Sequence, residues 1–479
     1  MQFESMEMTR NEEPVFDELY SLISTISGAK YAETRYHCRI INEVIFSNGE
    51  IELIRNVSNS GCGIRVLVDG CWGFTSTSNI SKDALKNALY EAISIAKLLS
   101  GNKKKKVEGL AEVNQMARGH LEARVKGDLK NIDIEQKIKI TKDAERAARS
   151  YSEKIKSTSC IYREILDHKI IVNTDGAEVQ LSDSKPEFNV TTIAAEGNET
   201  ATISEGIGIT GGWDDLFAKN DPLDYAILAS EKAVKLLKAN HVPGESTTII
   251  LDPGMVGLIA HEAIGHMVEA DFVLSGSLVN DKIGQRVASD LVSLVDSGES
   301  KTFPKGAGTI AVDDEGVRAE HVIIIENGYL ESFLHNRESA FIFDTKPAGN
   351  ARAYEYDDDP LIRMRNTFLE PKRDTVDDML KETKHGYLLK GARNGQADAN
   401  GEFMFAFQEA YLIEKGEIKE LMKGASVSGR AFDVLRSVDM VGKDFAYDMG
   451  TGYCGKIQPM KVDGGGPHIR CFATVGGLQ

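Results

Sequence analysis

The segment His261-Glu262-Ala263-Ile264-Gly265-His266 sets two imidazoles and a carboxylate in the middle of an apolar run. Asp252 followed by Pro253 is a strong helix start: an acidic N-cap, then a proline whose missing N–H costs nothing. Met255, Val256, Ile259, Ala260, Ala263, Ile264, Met267 and Val268 then recur in adjacent pairs at helical spacing, so this helix is expected to be largely buried. Buried histidines need partners, since each unpaired polar group costs roughly 1–3 kcal/mol. Neutral imidazoles bind metals, and a neighbouring glutamate can take a proton from water at such a centre.

The spacing poses a geometric problem. Each residue of an ideal α-helix advances about 100°, so side chains five apart diverge by about 140°. Three outcomes are open: a single π-turn, helix termination at Gly265, or two histidines satisfied separately by backbone groups. We expect a distorted or ending helix between His261 and His266, because Gly265 makes local distortion cheap. A zinc site also wants a third protein ligand. The candidate is Cys454 in Gly452-Tyr453-Cys454-Gly455-Lys456, where flanking glycines permit close approach and Lys456 would favour a thiolate. The plain alternative is a cysteine that only packs. Glu269 and Asp271 stand close enough to orient histidine N–H groups, or are simply solvated carboxylates at a helix end.

The chain has 479 residues, 42% hydrophobic and 27% charged, which is ordinary globular composition with room for two or three domains. A net charge of −17 argues against nucleic-acid binding. Met1 to Glu13 has no secretory pattern, and no apolar run approaches the ~18 residues of a membrane span. Six scattered cysteines read as free thiols in a cytoplasmic protein, and Lys103 to Lys106 as a solvated linker.

A helix at 15–27 is followed by hairpins turning at Ser47-Asn48-Gly49 and Asp69-Gly70, then by a helix at 83–99. A long helix is expected at 134–155, strands at 157–162, 169–172 and 179–181, and a helix at 224–238. Past the break at His241-Val242-Pro243-Gly244, strands are expected at 247–251, 309–312, 321–325, 403–413 and 418–422. The fold class is α+β: N-terminal helix/hairpin units, then a β-rich C-terminal domain carrying a buried metal-binding helix. The expected domains are 1–105, 106–242 (a weak repeat of the first) and 243–479.

Several motifs together resemble the TldD branch of the TldD/PmbA family of zinc peptidases, once described as modulators of DNA gyrase. They are Gly61-Cys62-Gly63-Ile64-Arg65-Val66, Gly70-Cys71-Trp72-Gly73-Phe74, the 261–266 motif with Glu269 and Asp271, and Arg363-Met364-Arg365-Asn366-Thr367. Glu409-Ala410-Tyr411-Leu412-Ile413-Glu414, Cys454-Gly455-Lys456 and the final Val475-Gly476-Gly477 complete the match, which spans nearly the whole chain. Ile457 to Gly466 departs from the family's glutamine-rich version, which bears on substrate preference.

The resemblance implies Zn²⁺ held by His261, His266 and Cys454, with Glu262 as catalytic base. It implies hydrolysis of unfolded or extended peptides, such as leader segments. It also implies a dimer, often a heterodimer with a metal-free TldE/PmbA-type paralogue. A peptide is expected to pair with a strand edge near 403–413 or near Gly464. The competing reading is a non-catalytic peptide-binding or regulatory subunit with a structural zinc.

Overall fold

The computed structural model describes residues 3–6, 13–24, 26–101, 106–398 and 400–476. Most of the 1–13 segment, Lys103 to Lys105 of the lysine run and the terminal Gly477 lie outside the described residues. The chain is α+β, with a large N-terminal sheet and a β-rich C-terminal region. Among the described residues, no helix is long and apolar enough to cross a membrane.

The N-terminal sheet has eight strands, and strands from both sides of residue 105 share it. Tyr31–Ser47 pairs antiparallel with Glu50–Val68 on one side and with Ile155–Asn173 on the other. Asn48 (φ 53°) and Gly49 (φ 88°) form the first turn, Asp69 (φ 50°) and Gly70 (φ 78°) the second. Both are two-residue turns needing positive φ twice, which explains why Asn-Gly and Asp-Gly stand there. The helix Lys82–Ser100 buries Leu85, Leu89, Ala92 and Ala96 on the sheet. Ile134–Ser150 and Pro222–Leu236 pack together over Tyr162 and Phe188.

Two expectations change here. The helix begun at Ile134 stops at Ser150, because the β-branched Ile155 enters the sheet opposite Ala194. The two short strands expected at 157–162 and 169–172 are one strand, Ile155–Asn173. The charged stretch between them reads as a break, yet its charges pair within the fold. Arg163 bridges Glu43 and Glu187, Lys137 meets Glu164 at 2.6 Å, and Asp167 meets Arg39 at 2.7 Å and His37 at 2.8 Å.

In the C-terminal region, Glu245–Leu251 lies between His385–Ala397 and Ile469–Gly476. Ser426–Arg430 joins Ile469–Gly476 to Glu402–Glu414, which returns to His385–Ala397, so five strands close on themselves. A six-stranded sheet, containing Leu294–Ser297, Asn366–Leu369 and Asp463–Gly466, stands opposite. The helical segment that starts at Pro253 runs between these sheets. Met255, Val256, Ile259, Ala260, Ala263 and Ile264 enter one core with Leu251, Leu389, Phe405 and Val475 from the closed sheet and Leu294 and Leu369 from the other. Close approach is possible because Gly257 faces Gly464 and Gly465; a Cβ there would come within 2.6 Å of their backbone. The strand expected at 309–312 is absent; only Val312 bridges Arg318, while the Thr309 carbonyl accepts from Lys185 at 2.7 Å. The remaining backbone of this stretch bonds to nearby loops, Thr309 N to the Gly306 carbonyl, Ile310 N to the Gly298 carbonyl and Ala319 N to the Ala311 carbonyl.

Candidate metal centre

The Asp252 carboxylate accepts from Met255 N at 2.9 Å and from Gly391 N at 2.9 Å, capping the helix and tying it to the neighbouring strand. Pro253–Leu258 is α-helical, Ile259–Gly265 is a π-helix and His266–Val268 a single 3₁₀ turn. The wider π-turn absorbs the additional residue, and the two imidazoles come to 5.2 Å between centroids, at 83°. Gly265 is not needed for its own conformation, since φ −56° and ψ −48° are ordinary helical values. It is needed for space: a Cβ would fall 2.0 Å from Met364 Sδ. Packing against Met364, and not ease of backbone distortion, requires glycine here.

Cys454 comes from the short hairpin Tyr453–Lys456 and Gln458–Lys461. Its sulfur, one His261 nitrogen and one His266 nitrogen all lie within 4.8 Å of one another. His266 Nε2 is 3.3 Å from Cys454 Sγ, while Nδ1 is 2.9 Å from Glu269 Oε2. His261 is 1% exposed, and among the described residues neither of its ring nitrogens has a hydrogen-bond partner. Such an orphan is costly unless something else takes the lone pair. A metal ion fits this donor set of two imidazoles and one thiol, and is suggested by it.

The electrostatics agree with a thiolate. Burial pushes the Cys454 thiol up, but His261 and His266 more than offset this and bring it down to about 4. Burial pushes His266 down, while Cys454 and Glu269 raise it to about 10. Lys456, expected to favour the thiolate, is occupied elsewhere. Its Nζ contacts Glu269 at 3.2 Å, Asp271 at 2.7 Å and the Ile362 carbonyl at 2.9 Å. Glu269 is fully buried and reaches His266, whereas Asp271 is paired with Lys456 and not with a histidine. Glu262 lies on an open cleft of about 570 Å³ above the centre, its carboxylate 3.7 Å from His266 Nε2.

The chain is similar throughout its length to known proteins. Family models for domain 1, the central domain and the C-terminal domain of the PmbA/TldA metallopeptidases match residues 32–96, 127–237 and 243–477. The chain belongs to the PmbA/TldD metallopeptidase family. A metalloprotease of Methanocaldococcus jannaschii is 34% identical over 93% of this chain and 96% of its own. A zinc metalloprotease TldD homolog of Saccharolobus solfataricus is 30% identical over 92% of this chain and 95% of its own. The fold is shared with TldE from Thermococcus kodakarensis, with TM-score 0.77 at 18% identity over 97% of this chain and 100% of that one. It is also shared with a Thermotoga maritima protein described as a modulator of DNA gyrase, with TM-score 0.77 at 22% identity over 97% and 100%.

Within this family member, sequence reasoning missed one support of the centre. Arg363, fully buried, donates to the Cys454 carbonyl at 2.7 Å and to the Gln458 carbonyl at 2.9 Å. The motif Arg363-Met364-Arg365 carried the family resemblance, but nothing local in it points to the centre. Both arginines are buried, and Arg365 pairs with Asp296 at 2.7 Å. The expected peptide-binding edges are also corrected. Glu402–Glu414 pairs on both sides, and so does Asp463–Gly466. Neither has a free edge, because each is an inner strand of its sheet.

Proposed function

We propose that this protein is a zinc-dependent peptidase that hydrolyses extended or unfolded peptides at the His261–His266–Cys454 centre. The observation that carries the reading is the buried His261, without a hydrogen-bond partner among the described residues, facing a thiol and a second imidazole, with the Glu262 carboxylate on the open side. A zinc ion held by these three ligands would supply Lewis acidity at the cleft floor and keep one position open. Glu269 holds the His266 ring through Nδ1, which leaves Nε2 directed at the centre. Glu262 takes a proton from the attacking water as its oxygen bonds to the scissile carbonyl carbon. The same carboxyl then delivers that proton to the amine nitrogen as the C–N bond breaks.

An extended substrate needs a strand edge, and residues 392–397 supply one. They pair with 403–407 on one side and with no strand on the other among the described residues. This edge ends at Ala397 and Asp398, which line the metal cleft. Main-chain pairing there gives affinity with little demand on sequence. Association into a dimer, with a second copy or a metal-free paralogue, belongs to the same proposal. It is supported by the strand at 50–60, which among the described residues pairs on one side only and exposes Ile51, Ile54 and Val57. A reducing compartment is supported by six free cysteines.

Glu262→Gln decides between a peptidase and a binding subunit with structural zinc. The expected result is full zinc stoichiometry with peptide cleavage reduced at least about a hundredfold. Retained cleavage would overturn the reading.

A further inference from the structure

We infer that the metal cleft selects substrates by an apolar side chain next to the scissile bond, received between Ile457, Phe272 and Met267. This rests on the peptidase reading above and names what that site accepts.

Ile457 stands at the rim of the cleft. Lys456 pairs with Gln458, so Ile457 alone makes the turn of the hairpin that carries Cys454. Its φ is +64°, in the left-handed region, which a β-branched residue rarely adopts. Glycine would make the same turn without strain. The side chain is 97% exposed, so no core packing explains its presence. A strained residue whose side chain stands free at the rim of a candidate active site is accounted for by what that side chain meets there.

The rest of the cleft fits the same chemistry. Phe272 is 41% exposed and held in place by Lys456 Nζ 4.5 Å from its ring centroid and by the edge of His266 at 6.3 Å. Met267 and Ala397 line the same space. The lysine of the cleft wall is already satisfied, and Glu262 and Asp398 add only carboxylates. Lys456 is held by Glu269, Asp271 and a carbonyl, and Asp398 Oδ1 accepts from the amides of Asn400 and Glu402. Glu262 is reserved for the proton. An acidic substrate side chain would thus lose water beside two carboxylates and gain no free cation, whereas an apolar one gains contact with three apolar side chains. The occupant is a peptide because the pocket is continuous with both the metal centre and the 392–397 edge.

The test uses the full-length, zinc-loaded Glu262→Gln protein and labelled Gly/Ser-rich peptides that differ at one position, Leu, Ser or Glu. Fluorescence anisotropy reads the affinities. The Leu peptide is expected to bind about tenfold more tightly than the Ser or Glu peptide. Adding Ile457→Gly should collapse that preference to about twofold, with zinc content unchanged and a melting temperature equal or higher because the turn is relaxed. Equal affinity for all three peptides, or a preference that survives Ile457→Gly, overturns the pocket. So does a change in sedimentation on Ile457→Gly, which would assign the side chain to a subunit contact. Cleavage of the same peptides by the protein with Glu262 intact is scored separately. A Leu preference in binding with no cleavage would sink the peptidase reading and leave the pocket standing.

Discussion

The Arg363 guanidinium donates to the backbone carbonyl of Cys454 at 2.7 Å, and a second donor reaches the Gln458 carbonyl at 2.9 Å. One buried side chain thus clamps both arms of the hairpin that presents the thiol, without touching the sulfur. Arg363→Met removes the clamp and leaves all three candidate ligands in the sequence. Metal affinity, read by competition with a chromogenic chelator, should fall about 10–100-fold, with the far-ultraviolet circular dichroism retained. Arg363→Lys should recover little, since an ammonium cannot span two carbonyls as a guanidinium does. Unchanged affinity in both variants would remove Arg363 from the account of the centre.

Glu269 is buried against His266 Nδ1 at 2.9 Å. Replacing it by Ala frees the ring to rotate and leaves Lys456 with Asp271 as its remaining carboxylate partner. A loss of about tenfold or more in metal affinity is expected. Asp271→Asn, which acts only through Lys456, should cost much less. The opposite ranking would show that the Lys456 pairing, and not the histidine contact, organises the site.

Gly265→Ala places a methyl within 2.0 Å of Met364 Sδ. Overpacking of this kind costs about 1–3 kcal/mol. Calorimetry should show a lower melting temperature for Gly265→Ala and for Met364→Ala alone. The double variant should be less destabilised than the sum of the two, because the clash is then gone. Strict additivity would contradict the packing argument.

The buried His261 nitrogens have no hydrogen-bond partner among the described residues, and a metal ion would take one of them. Ligand binding to the folded state alone stabilises by mass action, about 2.7 kcal/mol at a hundredfold excess over Kd. Dialysis against chelator should therefore lower the melting temperature by several degrees, and zinc should restore it. The same treatment of a His261→Ala variant should change little.

His335 offers a pH signature away from the centre. It is 4% exposed, and burial pushes it from 6.5 down to about 4. The folded state therefore binds this proton less readily than the unfolded chain. Its contribution is fully present above pH 6.5 and is lost as the pH falls towards 4. Denaturant titrations at pH 7 and pH 4 should show the wild type losing on the order of 2 kcal/mol more than His335→Gln. Equal losses would mean that this histidine titrates normally.

Much of the local architecture was legible because it depends on neighbours in sequence. Asn48-Gly49 and Asp69-Gly70 announced two-residue turns, and both occur with positive φ. Asp252-Pro253 announced the start of the buried helix, and the five-residue histidine spacing announced its distortion. What misled were charges whose partners lie far away in sequence. Arg163 to Asp167 looked like a gap between strands, and nothing local to Arg363 and Arg365 revealed that both are buried. A charge reads as exposed until its counter-ion or carbonyl is in view, and these partners sit on other strands and loops.

The chain itself determined the elements, their turns and the inventory of chemical groups: two imidazoles, a carboxylate and a glycine-flanked thiol. Periodicity and turn chemistry act over a few residues, so they survive without a fold. Only the tertiary structure decided that Cys454, 188 residues beyond His266, comes within 3.3 Å of its ring, because no local rule measures that distance. It likewise decided that Gly265 exists for Met364, that 403–413 has neighbours on both sides, and that Ile457 stands at the rim of the cleft. Each of these turns on which surfaces meet, and packing between distant segments is settled only when the whole chain is folded.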